Sequence, residues 1–187
     1  GAVTANDSSV SITGEAKDSN SGLGAYLTGN VKGKSVNITG NAMGSTQGIY
    51  TAGSVESTNG DIKILGTSEK GNGTQVQGII DAKGKIELLG ESKGTAAHGL
   101  IIQNSIIATG NITVTGKTSA QDNNVRAVTL TSLNASTRGS LKADGQAINI
   151  NSDTLLINTN STVDTGTTGS VSIKTTSGNS IALGSED

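Results

Sequence analysis

Five copies of one short pattern, apolar–any–apolar–any–glycine, recur along this chain at a nearly constant interval. They read VSITG at 10–14, VNITG at 36–40, IKILG at 62–66, IELLG at 86–90 and ITVTG at 112–116. Their closing glycines, Gly14, Gly40, Gly66, Gly90 and Gly116, stand 26, 26, 24 and 26 residues apart. A second landmark keeps the same phase: glycine leading into an apolar run at Gly22-Leu23, Gly48-Ile49, Gly73 (towards Val76) and Gly99-Leu100. A third apolar position precedes the next copy at Val31, Val55, Ile79 or Ile80, and Ile106 or Ile107. A period of this length with three apolar stations marks a solenoid, in which each repeat is one turn of the chain.

Within each copy the apolar residues alternate with period two, so Val10 and Ile12, Val36 and Ile38, Ile62 and Ile64 share one face of a strand. A strand of three to five residues cannot bury that face alone. Stacking turn on turn lets each strand pair in parallel with its copies above and below, about 4.8 Å away. The expected fold is therefore all-β: a right-handed parallel β-helix with about three short strands per coil and a repeat near 26 residues. Its inward ladder reads Ile12, Ile38, Ile64, Leu88, Val114. The glycines are expected where the chain turns with positive φ or passes close to a neighbour. No 3.6-residue apolar period is sustained, and the abundance of Gly, Ser, Thr, Asn and β-branched residues opposes helix.

The last third keeps this grammar but loosens it. Ala147-Ile148-Asn149-Ile150 reads as the next first strand, 36 residues after Ile112 instead of 26, and Val171-Ser172-Ile173 follows 23 residues later. Ile181-Ala182-Leu183 is a candidate for a further segment. The ten extra residues fall within 117–145 and predict a protruding loop or hairpin centred near 129–140. The reading is one β-helix segment over 1–187, of about seven coils, roughly 35 Å long at ~4.8 Å per coil. Neither end shows the polar cap that a free solenoid terminus needs, so the rod is expected to continue in a longer protein.

Composition agrees with a thin aliphatic core. Ile, Leu and Val supply 41 of 187 residues, and the chain has no Phe, Trp, Pro or Cys and only two tyrosines, Tyr26 and Tyr50. The 13 Lys and Arg are scattered and balanced by 15 Asp and Glu, which gives no electrostatic case for nucleic acid. No stretch approaches the ~20 apolar residues of a membrane span, and no signal peptide opens the chain.

The runs SVNITG (35–40), GDIKILG (60–66) and GNITVTG (110–116), joined by glycine-rich connections, resemble the shafts of filamentous haemagglutinin-like proteins, the large exoproteins of two-partner secretion in Gram-negative bacteria. The resemblance covers roughly residues 8–150; autotransporter passengers share the same physics. It implies export through an outer-membrane secretion barrel, and secretion or display on the cell surface as an adhesin or a contact-dependent inhibition stick. Host-cell or matrix glycans or proteins are the candidate partners of such a chain, with no nucleic acid. A monomeric rod with no cofactor, no metal and no catalytic residue completes the expectation.

Chemistry is hard to build from the residues. Pectate lyases and polygalacturonases set carboxylates on neighbouring coils of this fold for metal binding or acid–base work. Here Glu15 and Glu91 are equivalent but three coils apart, while Asp18, Glu69 and Asp122 mix with Lys17, Lys70 and Lys93 in a turn. The sequence alignment puts no two acids in register on adjacent coils. Lys63 and Glu87 do fall in register, as an outward cross-strand pair. His98 has no Cys or His partner and reads as a turn residue. The Gly-Gly-x-Gly-x-Asp calcium repeat is absent, and outward Thr-x-Thr, the mark of ice binding, occurs on one coil alone. Asn-x-Ser/Thr occurs at Asn6, Asn37, Asn72, Asn111, Asn134 and Asn160; most such sites arise by composition in an Asn/Ser/Thr-rich chain, and the resemblance leaves glycosylation at them as an alternative.

Two places remain as candidate interaction sites. Leu65 and Leu89 point outward on adjacent coils, a patch for a partner or one covered by a turn. The insertion carries Asn123, Asn124, Arg126, Thr129, Thr131, Ser132, Asn134 and Arg138, of which Arg126, Asn134 and Arg138 are the leading residues for hydrogen-bonding a glycan. The same segment reads equally as an inert loop. Function then divides into a shaft segment, a glycan- or protein-binding module, and, least supported, a polysaccharide lyase or hydrolase.

Overall fold

The computed structural model describes residues 1–18, 22–44, 46–121 and 124–177, and among them every regular element is a β-strand. The chain winds through three parallel sheets once per coil. The first sheet holds Val3–Ala5, Val31–Gly33, Val55–Ser57, Ile80–Ala82, Ser105–Ala108, Ser140–Ala143 and Thr162–Asp164. The second holds Val10–Ala16, Val36–Ala42, Ile62–Ser68, Ile86–Ser92, Ile112–Thr118, Ile148–Asn151 and Val171–Lys174. The third holds Ala25–Leu27, Ile49–Thr51, Thr74–Val76, Leu100–Ile102, Val128–Leu130 and Leu155–Ile157. Six coils are complete, and a seventh contributes its first two strands. The candidate segment at Ile181-Ala182-Leu183 lies outside the described residues.

Like residues align as the repeat requires. Val10, Val36, Ile62, Ile86, Ile112, Ile148 and Val171 are successive Cα partners, as are Ile12, Ile38, Ile64, Leu88, Val114, Ile150 and Ile173. Ile38, Ile64, Leu88, Val114 and Ile150 have no solvent exposure, while Ile12, on the first coil, is only partly buried. Against them pack Val31, Val55, Ile80, Ile106 and Leu141 of the first sheet, and Ile49, Val76, Leu100 and Leu130 of the third. Of the alternatives open in the sequence, Ile80 and Ile106 face inward and Ile79 is 45% exposed. Each fully buried aliphatic side chain contributes about 1.5–3 kcal/mol, so the stack is held by aliphatic ladders without any aromatic residue.

The glycine of the repeat does different work from a turn. The second-sheet strands run seven residues in the first five coils, so the glycine lies inside the strand, not at its end. None of the five has positive φ; among the described residues only Gly22, Gly145 and Gly166 do. What excludes a side chain is contact. A Cβ on Gly90 would sit 2.1 Å from the Gly99 carbonyl oxygen, one on Gly40 2.3 Å from that of Gly48, and one on Gly116 1.9 Å from that of Ala127. The inward side of each strand thus tapers from a branched residue to glycine, where the backbone entering the third sheet presses against it.

Two residues further on, the inward ladder reads Ala16, Ala42, Ser68, Ser92, Thr118. Its hydroxyls stitch the corner to the coil before. Ser68 Oγ donates to the Thr46 carbonyl (2.7 Å), Ser92 Oγ to that of Gly71 (2.8 Å) and Thr118 Oγ1 to that of Ala97 (2.7 Å). The same oxygens accept from the Gly71, Gly94 and Ala120 amides. A buried hydroxyl with both kinds of partner meets the requirement for burial in an apolar corner.

The entry to the third sheet corrects one alignment. The residue equivalent to Gly48, Gly73 and Gly99 is Gly24, because Ala25 pairs with Ile49, Ile49 with Thr74 and Thr74 with Leu100. Gly22-Leu23 precedes that strand, on a longer connection that shifted the count. The insertion also resolves into parts. Val128–Leu130 and Ser140–Ala143 are ordinary strands in register with their neighbours, and the extra length concentrates in 131–139. There a small hairpin forms around the antiparallel bridge Ser132–Arg138, where the previous coil has only Gln103 and Asn104 between its strands. Excess residues leave the wall here because both flanking strands are held by the ladder.

Candidate interaction sites

The predicted interaction residues occupy three separate places. Leu65 and Leu89 are Cα partners on the outer side of the second sheet, each half-buried, between Thr39 and Thr115 of the same ladder. Arg126 belongs to the connection before Val128–Leu130, away from the hairpin. Its amide donates to His98 Nδ1 (3.1 Å) and its Nη1 to the Val125 carbonyl (3.3 Å). Asn134 and Arg138 share the hairpin, with Thr131 and Ser132 on its first arm. Asn123 lies outside the described residues. Thr129, grouped with the loop on sequence, is 5% exposed on a third-sheet strand and does not belong to it.

Asn134 is the hairpin's own cap. Its Oδ1 accepts from the Ser136 and Thr137 amides and from Ser136 Oγ, each at 2.9 Å, the local bonding that favours Asn in turns. That oxygen is therefore committed to the turn. Arg138 is exposed and borders a polar groove of about 420 Å³ between the hairpin and the first sheet, with Asn104, Ser105, Ser136, Ser140 and Thr162 along it. This groove, with hydroxyls, the side-chain amides of Asn104 and Asn160 and the Arg138 cation, is the concave feature the insertion creates. Nothing in the sequence pattern announced it, because Asn104 and Thr162 come from the coils on either side.

His98 is half-buried in the turn before Gly99. Its amide donates to Asn72 Oδ1 (2.9 Å), while Nδ1 accepts the Arg126 amide and lies 3.3 Å from Thr129 Oγ1. An accepting Nδ1 belongs to the neutral imidazole. Burial holds the ring below the ordinary histidine pKa, and the Arg126 charge adds to that.

Charges on the outer faces are compensated coil by coil. Lys63 and Glu87 pair at 3.0 Å, as their register led one to expect; Lys32 pairs with Glu56 at 2.7 Å and Lys93 with Glu69 at 2.6 Å. One reading is overturned: Glu56 and Asp81 are Cα partners on adjacent coils of the first sheet, so two acids do fall in register. The repeat alignment was anchored on the second-sheet strand and left the short strand before it free to shift by a residue. Each of the two has its own lysine, Lys32 for Glu56 and Lys83 (3.8 Å) for Asp81, which offsets their repulsion. Among the described residues no group of three or more His, Cys, Asp or Glu could hold a metal ion, and no helix is long and apolar enough to cross a membrane.

Comparison with protein families, with curated proteins and with solved structures finds no match for this chain.

Proposed function

We infer that this chain is a segment of the β-helical shaft of a secreted or surface-displayed bacterial adhesin, which supports cell adhesion by holding a binding surface away from the cell. The observation that carries this reading is continuity of register. Three sheets pass through six complete coils without losing a ladder, even across the coil lengthened by the hairpin. Parallel pairing tied by aliphatic ladders and inter-coil ion pairs makes a stiff body that can be extended by repetition. The resemblance of the repeat to filamentous haemagglutinin-like shafts supplies the setting: two-partner secretion, an outer-membrane barrel during export, and a monomeric rod at the surface.

A second reading is favoured by one specific observation, the groove beside Arg138: a recognition module that takes a glycan or host protein at the hairpin. The two separate in one experiment. The chain is displayed on a Gram-negative cell between an outer-membrane anchor and a terminal binding domain of known ligand, and compared with an unrelated β-helix of equal length. Unchanged adhesion to that ligand, and no new adhesion to host cells, is the shaft outcome. Host-cell adhesion that appears only with this chain, and goes when 131–139 is replaced by a short Gly-Ser turn, makes it a recognition module.

A further inference from the structure

The outer face of the third sheet differs from the other two. Its strands carry no Asp, Glu, Lys or Arg, whereas first-sheet strands carry Lys32, Glu56, Asp81, Lys142 and Asp164, and second-sheet strands Lys63, Glu87, Glu91 and Lys117 among others. In place of charges it has the only two Phe, Tyr or Trp residues of the chain. Tyr26 and Tyr50 are Cα partners on adjacent coils, with ring centroids 5.3 Å apart and planes tilted by 42°. Tyr26 is 60% exposed.

Continuous with the rings runs an amide network. Gln47 Nε2 donates to Gln75 Oε1 (3.0 Å), and Gln75 Nε2 donates to Gln103 Oε1 (2.7 Å). Gln77 Nε2 donates to the same Gln103 oxygen (3.0 Å), and the Tyr50 hydroxyl donates to Gln77 Oε1. Four of the six glutamines in the chain are thus gathered beside its two aromatic rings. Each amide is oriented by its neighbours, so any ligand would meet donors and acceptors already in place, with little ordering cost.

We propose that this face binds a neutral polysaccharide lying along the rod. A pyranose ring has a face of C–H bonds and a rim of hydroxyls, and Tyr offers a flat apolar body with a polar tip to match it. Side-chain amides both donate and accept, as sugar hydroxyls do. The strands offer no counter-charge for a sulfated, phosphorylated or carboxylated ligand, and that selects an uncharged one. The face is distinct from the Arg138 groove, and the proposal goes beyond the shaft reading by giving one wall of the rod a ligand of its own.

The test is native affinity electrophoresis of the chain in gels containing a soluble β-glucan, an α-mannan or a galactan, with heparin as the charged comparator. Retardation by at least one neutral polysaccharide is expected, unchanged by added salt because no ion pair is involved. Tyr26→Ala should weaken it about tenfold, Tyr26→Trp should retain it, and Arg138→Ala should leave it alone. Equal thermal melting of the Tyr26 variants and the parent chain shows that the fold is intact. No retardation by any neutral polysaccharide overturns the proposal, as does retardation that survives Tyr26→Ala or is confined to heparin. Sedimentation showing self-association of the parent that Tyr26→Ala abolishes would make a second copy the occupant, and also overturns it.

Discussion

Replacing Gly90 with alanine adds one methyl group to a strand whose backbone any residue can adopt, yet it should be among the most damaging small changes in the rod. The new Cβ would lie 2.1 Å from the Gly99 oxygen, 2.7 Å from the Gly99 carbonyl carbon and 2.9 Å from Leu100 Cβ. Ordinary contact begins near 3.4 Å, so the two segments must separate by roughly 1 Å, and the atoms that have to move are mostly backbone. Overpacking of this kind costs about 1–3 kcal/mol. The Gly99 carbonyl also accepts the Thr74 amide of the previous coil at 3.0 Å, and loosening that bond adds about 1 kcal/mol. The expected loss is about 2–4 kcal/mol. Gly60→Ala is the control, since its Cβ would meet its nearest atom at 3.1 Å, at the edge of a connection. There the steric cost is small and the stiffer unfolded chain offsets part of it. Urea unfolding followed by circular dichroism reads both. A Gly90→Ala chain as stable as the Gly60→Ala chain would refute the view that close backbone contact, not turn geometry, keeps this glycine.

Three further outcomes are expected. Ile64→Asp places an unpartnered carboxylate where Ile64 has no solvent exposure and should lower stability by several kcal/mol, whereas Asn37→Asp on the exposed face should change it by under about 0.5 kcal/mol; equal melting temperatures would show the facing to be wrong. His98 is held below its ordinary pKa by burial, so the unfolded chain takes up a proton first as the pH falls. Its contribution is complete above about pH 6.5 and is lost below it, and the difference in stability between parent and His98→Gln should shrink or reverse from pH 7 to pH 5, a flat difference being the contrary result. Replacing 131–139 by the two-residue connection Gln-Asn of the previous coil removes no buried aliphatic side chain and should alter stability by no more than about 1 kcal/mol, as thermal melting would show.

Much of the fold was legible because a β-solenoid writes its geometry into one dimension. Each coil repeats the demand of the last, so the spacing of Val36, Ile62, Ile86 and Ile112 states both the period and the inward face. Alternation within VNITG and IKILG then separates Ile38 and Ile64 from Asn37 and Lys63. The pairing of Lys63 with Glu87 follows from the same register. The position of the hairpin was legible too, since the ladder must resume at Ile148 and the extra residues have to leave the wall between two strands.

What only the tertiary structure decided lies where coils and sheets meet. The sequence leaves Gly90 as either a turn residue or a point of close approach, and only the position of Gly99 on the next sheet shows that it is a strand residue with no room for a methyl group. Ser68, Ser92 and Thr118 look like surface polar residues until the corner closes over them. Glu56 faces Asp81 because short strands can shift by a residue within a constant period. Asn134 and Arg138 stand four residues apart in sequence, yet the turn consumes the oxygen of one and the groove takes the other. The tyrosines and glutamines of the third sheet lie 24 to 28 residues from their partners, with no common motif. A repeat dictates which residues stack, because that is a matter of period; which atoms touch across the coil depends on how closely the walls approach, and no period records that.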